Sequence, residues 1–99
     1  MNIYDVIIIG KGPSGISASL YTQRANLKTL IIGREGSSLE KTDKIENYYG
    51  LEEPISGQKL LSIGENQAQR LGVQVLNEEV TAIAKFYEEN YFKVSTINN

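Results

Sequence analysis

The sequence predicts an α/β fold in which a parallel βαβαβ sheet is followed by a β-hairpin or short meander. Three observations predict it. The β-branched run Val6-Ile7-Ile8-Ile9 breaks into Gly10-Lys11-Gly12-Pro13-Ser14-Gly15 and then into a helical pattern, giving the order strand, tight loop, helix. A second β-rich run at residues 29–32 closes a βαβ unit of about thirty residues, and a further helical pattern leads to a short run at residues 73–76. Two more β-leaning stretches follow, separated by four residues that favour a turn.

Residues 4–9 read as the first strand, and its unbroken apolar run suits a parallel strand buried on both faces. From residue 14 to about 25, the small residues Gly15, Ala18, Ser19 and Thr22 recur at spacings of three and four. That pattern suits a helix lying very close to a sheet, with Ile16 and Leu20 widening the same face. Asn26, which tolerates the left-handed conformation, marks the exit. Residues 28–32 form the second strand, parallel to the first by the right-handed crossover rule. Residues 33–57 are rich in turn formers and charges, yet Lys44-Ile45-Glu46-Asn47-Tyr48-Tyr49-Gly50 at their centre is too bulky for a linker. An ordered binding loop is expected there. Ser56 is a helix cap, Leu60, Leu61, Gly64, Ala68 and Leu71 follow at helical spacing, and Gly72 is a natural exit. Residues 73–76 are then a third strand, and residues 80–86 and 91–97 pair as a hairpin around Tyr87-Glu88-Glu89-Asn90.

The glycine loop is where this fold does chemistry. Open α/β sheets bind ligands at the carboxyl ends of their strands, and a Gly-x-Gly-x-x-Gly loop between strand and helix is the signature of a Rossmann-like dinucleotide cradle. Gly10 allows the tight turn, Gly12 lets the backbone approach a pyrophosphate, and Gly15 lets the helix pack against the strand. Pro13 suits a first helical position, where an N–H has no partner, so the free amides after it and the helix dipole face an anion. The alternative is a tight turn that holds no ligand.

Composition narrows the chemistry further. At 99 residues the chain is one domain at most. A net charge of −2 with scattered lysines and arginines gives no reason to expect nucleic acid or an anionic membrane as partner. There is no cysteine and no histidine, so disulfides, thiol chemistry and the usual zinc ligand sets are excluded within the chain. The apolar run near the amino terminus is too short for a signal peptide or membrane span, so a cytoplasmic location is expected.

Three stretches together resemble the amino-terminal part of the thioredoxin reductases, a family of FAD flavoproteins. They are Gly10-Lys11-Gly12-Pro13-Ser14-Gly15, Leu20-Tyr21-Thr22-Gln23-Arg24-Ala25-Asn26-Leu27 and Ile45-Glu46-Asn47-Tyr48-Tyr49-Gly50. The resemblance implies that Gly10, Gly12, Pro13, Ser14 and Gly15 bind the FAD pyrophosphate. It places Gly33, Arg34, Glu35, Gly36, Ser38 and Leu39 in a loop that wraps the adenosine and flavin side. Asn47 matches an asparagine that approaches the flavin, and Val80 a residue whose backbone reads the adenine edge. From the residues alone, Glu35 stands about twenty positions past the last glycine, where an acid commonly grips the ribose, although Gly33 occupies the end of the strand. Asn47 has a second reading, as a turn residue bonded to its own backbone, and Tyr48 and Tyr49 read as loop packing rather than stacking partners. The chain departs from the family at Tyr49, where proline is usual, and at Ser37 and Ser38, where glycine and glutamine are.

Members of the family also carry a Cys-x-x-Cys pair in a downstream pyridine-nucleotide domain and a carboxyl-terminal segment that completes the FAD domain. Residues 1–99 are therefore expected to be the amino-terminal segment of an FAD-binding domain, with no catalytic residue of their own. The intact protein would reduce a thioredoxin-like protein disulfide through FAD, with NADPH or ferredoxin as the electron donor. A homo-oligomer is expected. Two other functions compete with this one. A stand-alone nucleotide-binding or interaction module should be a cooperative monomer, whereas a fragment exposes apolar surface and self-associates. An NAD-dependent dehydrogenase fragment would want a carboxylate at the end of the second strand, where Gly33 stands.

Overall fold

The computed structural model describes residues 2–34 and 38–99. A three-stranded parallel sheet carries β1 (Val6–Ile9), β2 (Thr29–Ile32) and β3 (Gln74–Leu76) in the order β1-β2-β3. Helix α1 (Pro13–Arg24) crosses from β1 to β2, and α2 (Gly57–Arg70) from β2 to β3. The register sets Ile8 beside Ile31 and Ile31 beside Val75. An antiparallel hairpin, β4 (Val80–Phe86) with β5 (Tyr91–Thr96), forms a separate two-stranded sheet. The expected Rossmann-like α/β order is the one found.

Both helices end as their exit residues dictate. Asn26 lies at φ 68°, and the Leu27 N–H reaches back to the Thr22 carbonyl at 3.1 Å while the Asn26 N–H bonds Gln23 at 3.0 Å. Gly72, at φ 105°, repeats the arrangement, with the Val73 N–H on the Ala68 carbonyl at 3.0 Å. These paired bonds satisfy carbonyls that the last helical turn would otherwise leave open. At the other end of α2, Ser56 Oγ accepts from the Lys59 N–H at 3.1 Å, so the expected cap is formed.

The core lies between β2 and the two helices, where Ile16, Ile31, Ala68 and Val73 are buried, with Ile8, Leu20 and Leu61 packed around them. The helices meet at Gly64, where an added β-carbon would lie 3.2 Å from Ile16 Cγ2. Ser19 is fully buried and donates its hydroxyl to the Ile16 carbonyl at 2.6 Å, while Thr22 and Thr29 share a hydroxyl contact at 2.8 Å. Those bonds make polar residues tolerable this close to the sheet.

Two expectations about burial are corrected. Every residue of β2 is buried, but β1 is only half-buried and Ile9 is 51% exposed. The reason is position: β2 is the central strand, and among the described residues β1 has a partner on one side only. Ala18 is exposed rather than part of the sheet-facing side of α1; that side is built from Ile16 and Ser19, with Gly15, Leu20 and Thr22 half-buried.

Candidate diphosphate site

At the carboxyl end of β1 the chain turns at Gly10, whose φ of 123° is strained for any residue with a side chain. Its N–H is held by the Ile32 carbonyl at 2.7 Å, which fixes where the turn begins. Gly12 is the N-cap of α1 and Pro13 its first helical residue, as the glycine and proline pattern predicts. The first bond of the helix runs from the Ile16 N–H to the Gly12 carbonyl at 3.0 Å, so the amides of Ser14 and Gly15 precede the intrahelical ladder. No acidic residue lies in the first turn to compete for them. Gly15 itself is crowded: a β-carbon there would collide with the Gly10 carbonyl oxygen and stand 3.3 Å from Ile8 Cγ2.

The ends of the other two strands lie alongside. Gly33 continues from β2 and donates to the Leu76 carbonyl at 3.1 Å, and a β-carbon on it would come within 2.8 Å of both the Lys11 amide nitrogen and Lys11 Cγ. Arg34, exposed, pairs with Glu79 at 3.3 Å. Lys11 donates its ammonium to Asn77 Oδ1 and lies 3.8 Å from Glu65 of α2. Residues 77–79 lead into Val80, which is half-buried at the start of β4 and opposite Thr96. The structure therefore brings together Gly10, Gly12, Pro13, Ser14, Gly15, Gly33 and Arg34, with Val80 following directly on the adjoining segment. Both cations at this edge are matched by carboxylates, which leaves the amides and dipole of α1 as its unmatched positive feature.

Glu35 and Gly36 lie outside the described residues, as does the Ser38 side chain. Leu39 sits in a single 3-10 turn, Ser38–Lys41, against the start of α2: a β-carbon on Gly57 would be 2.7 Å from the Leu39 carbonyl carbon. The central loop is ordered by a bridge between Ile45 and Ile55, with N–H to carbonyl bonds of 2.7 and 3.1 Å, and by the Gly57 N–H on the Thr42 carbonyl at 2.8 Å. Ile45 is buried, which explains why the bulky segment does not behave as a linker. Asn47 is exposed and its side chain makes no hydrogen bond among the described residues, so the turn-type bond is not formed. Tyr49 is 90% exposed, which corrects its reading as a packing residue. Tyr48 is also exposed, at 52%, and lines with Pro13, Ser17 and Leu39 a groove of about 110 Å³ between the helices. That volume is below the roughly 300 Å³ at which small-molecule pockets begin, so the groove is not a flavin pocket in this form.

Lys11, Glu65, Asn77 and Glu79 were not singled out from the sequence. The signal for the first was present, since a long cation at the second position of a glycine loop must lie either in solvent or across the sheet edge.

The chain shares 42% identity over 95 residues with the thioredoxin reductase of Treponema pallidum (strain Nichols), a match covering 94% of this chain and 30% of the relative. With the Aquifex aeolicus (strain VF5) thioredoxin reductase the identity is 46% over 82 residues, 81% of this chain and 25% of that one. Among solved structures, the Lactococcus lactis thioredoxin reductase superposes with a TM-score of 0.86 at 37% identity, over 98% of this chain and 32% of its own. The chain belongs with the thioredoxin reductases, as a segment of them. It spans a quarter to a third of the length of these relatives. No protein-family model matches it. Among the described residues of this thioredoxin reductase segment, no group of His, Cys, Asp and Glu is arranged to hold a metal, and no helix is long and apolar enough to cross a membrane.

Proposed function

We propose that this chain is the FAD-binding portion of a thioredoxin-reductase-like flavoprotein, with the diphosphate received by the amides that open α1. The observation that carries the reading is the geometry at Gly10–Gly15: a left-handed turn, a side-chain-free N-cap and two amides ahead of the first helical bond at 3.0 Å. The residues fit such a group, because the N-cap residue, Gly12, carries no side chain and no acidic residue lies in the first turn. The cofactor supplies electron transfer through its isoalloxazine ring; the chain's residues bind and orient it. Gly12 keeps the backbone bare, Gly15 lets α1 pack against β1, Ser14 and Gly15 present N–H donors, and the dipole of α1 favours the negative charge. Glu35 is proposed for the ribose, with Gly33, Arg34, Gly36, Ser38 and Leu39 along the adenosine side, Val80 at the adenine edge and Asn47 toward the flavin.

The crowding at Gly33 favours FAD over NAD. A carboxylate at the end of β2 is the usual grip on an NAD ribose, and any side chain at position 33 would strike the Lys11 backbone 2.8 Å away. The disulfide-reducing activity, its thioredoxin-like substrate and its donor, NADPH or ferredoxin, belong to the intact protein in this reading. The chain has no cysteine and is not itself catalytic. A cytoplasmic protein that self-associates and engages neither nucleic acid nor membrane completes the proposal.

Fluorescence titration of the chain with FAD and with NAD tests it, repeated on Gly12→Val. Saturable FAD binding, tighter than NAD and weakened by at least about tenfold in the variant, is the expected result. Tighter binding of NAD, or unaltered FAD affinity in Gly12→Val, overturns the assignment.

A further inference from the structure

A loop with three glycines in six positions has a large conformational entropy to lose, and its N-cap, Gly12, has no side chain to lock it. Something else must hold it. Lys11, the only long side chain of the loop, is one-tenth exposed, whereas lysines are almost never withdrawn from water unless paired. Its stem runs across the end of β2 in the space that Gly33 leaves free, since a β-carbon there would meet Lys11 Cγ at 2.8 Å. Its ammonium donates to Asn77 Oδ1, 66 residues away, and stands 3.8 Å from Glu65 Oε2. One side chain thus joins the β1–α1 loop, the end of β2, the segment after β3 and helix α2.

We infer that Lys11 is a positioning residue: by tying the glycine loop to Asn77 and Glu65 across Gly33, it holds the loop in the conformation that receives a diphosphate. This rests on the diphosphate reading of the loop. Lys11 does not touch the ligand in this role; it acts through the order of Gly10, Gly12 and the amides that follow. Preorganising a flexible binding loop raises affinity by removing an entropy cost that binding would otherwise meet. A lysine that only adds surface stability would have no such selective effect.

The test has two arms on the 99-residue chain. The first is backbone hydrogen exchange without ligand in Lys11→Met, which keeps the stem and loses the ammonium, and in Asn77→Ala, an exposed position outside the glycine loop and 66 residues along the chain from Lys11. Exchange at the Gly10 and Ile16 amides, bonded to Ile32 and Gly12, is expected to quicken by about tenfold in each variant. Exchange at the Ile31 amide in the core stays unchanged, and the double variant is no worse than Lys11→Met alone, as a shared interaction requires. The second arm is titration with FAD, where each variant is expected to bind about tenfold more weakly. Unchanged exchange at Gly10 and Ile16, additive effects in the double variant, or quickening spread evenly over the core overturns the inference. If the exchange pattern is as expected but the parent chain binds no FAD, the diphosphate reading fails while the tie itself stands.

Discussion

Gly15 shows how one absent atom can set the distance between two elements. A β-carbon there would overlap the Gly10 carbonyl oxygen and press on Ile8 Cγ2 at 3.3 Å, so α1 can approach β1 only with hydrogen at this position. Its neighbours are backbone and a core side chain, neither of which yields cheaply. Gly15→Ala is therefore expected to destabilise the chain by about 1–3 kcal/mol, the range for overpacking a tight contact. A urea unfolding curve measures it as a lower midpoint at unchanged slope. Gly12 differs, because its backbone dihedrals of −75° and −177° are ordinary for any residue. A side chain there obstructs the approach to the amides without straining the main chain, which is why Gly12→Val serves as the binding test and Gly15→Ala as the packing test.

At the scale of elements, the hairpin is fastened to the sheet through Glu78, in the turn between β3 and β4. Its carboxylate accepts from Thr96 Oγ1 at 2.5 Å and from Asn99 Nδ2 at 3.2 Å, and Thr96 is buried at the end of β5. The Thr96 hydroxyl bond holds the Glu78 pKa below its ordinary 4.5; desolvation works the other way and is outweighed with help from Asn99 and Asn98. A carboxyl whose folded pKa is depressed stabilises the fold above its unfolded value, and that contribution is lost as pH falls through the folded one. The parent chain is thus expected to lose more stability below pH 4.5 than Glu78→Gln, whose amide keeps a partner for Thr96 but does not titrate. Urea midpoints on either side of that pH compare them. None of this was visible in the sequence, because Glu78 and Thr96 lie far apart along the chain and neither belongs to a motif. What was visible is local: the turn at Gly10, the Ser56 cap, and the exits at Asn26 and Gly72 each depend on a residue's own conformational preference. Contacts between distant segments, such as Lys11 with Asn77, needed coordinates. So did burial. A β-rich run marks β1 and β2 alike, and only the strand order separates the central strand, with Ile31 1% exposed, from the edge strand, with Ile9 at 51%.

For the whole molecule, the shape points to association. The chain extends 51 × 28 × 19 Å with a radius of gyration of 14.9 Å, against about 13 Å for a compact chain of this length. The strands of the hairpin are largely exposed. Ile83 and Phe92 lie on one face of it, 56% and 61% exposed, with the Lys85 ammonium 4.5 Å over the Phe92 ring. A two-stranded hairpin is marginal alone in water, and β1 adds a strand edge, unpaired among the described residues, beside the half-exposed Ile9. Apolar surface of this kind is expected to drive self-association of the chain, as the fragment reading requires and the stand-alone module does not. Sedimentation is expected to show mass rising with concentration, and Ile83→Lys is expected to lower it by placing a charge at the centre of the exposed face without disturbing a buried contact. A chain that stays monomeric and melts cooperatively with no response to FAD would instead favour the independent module, because a surface that needs no cover is what a complete domain presents to water.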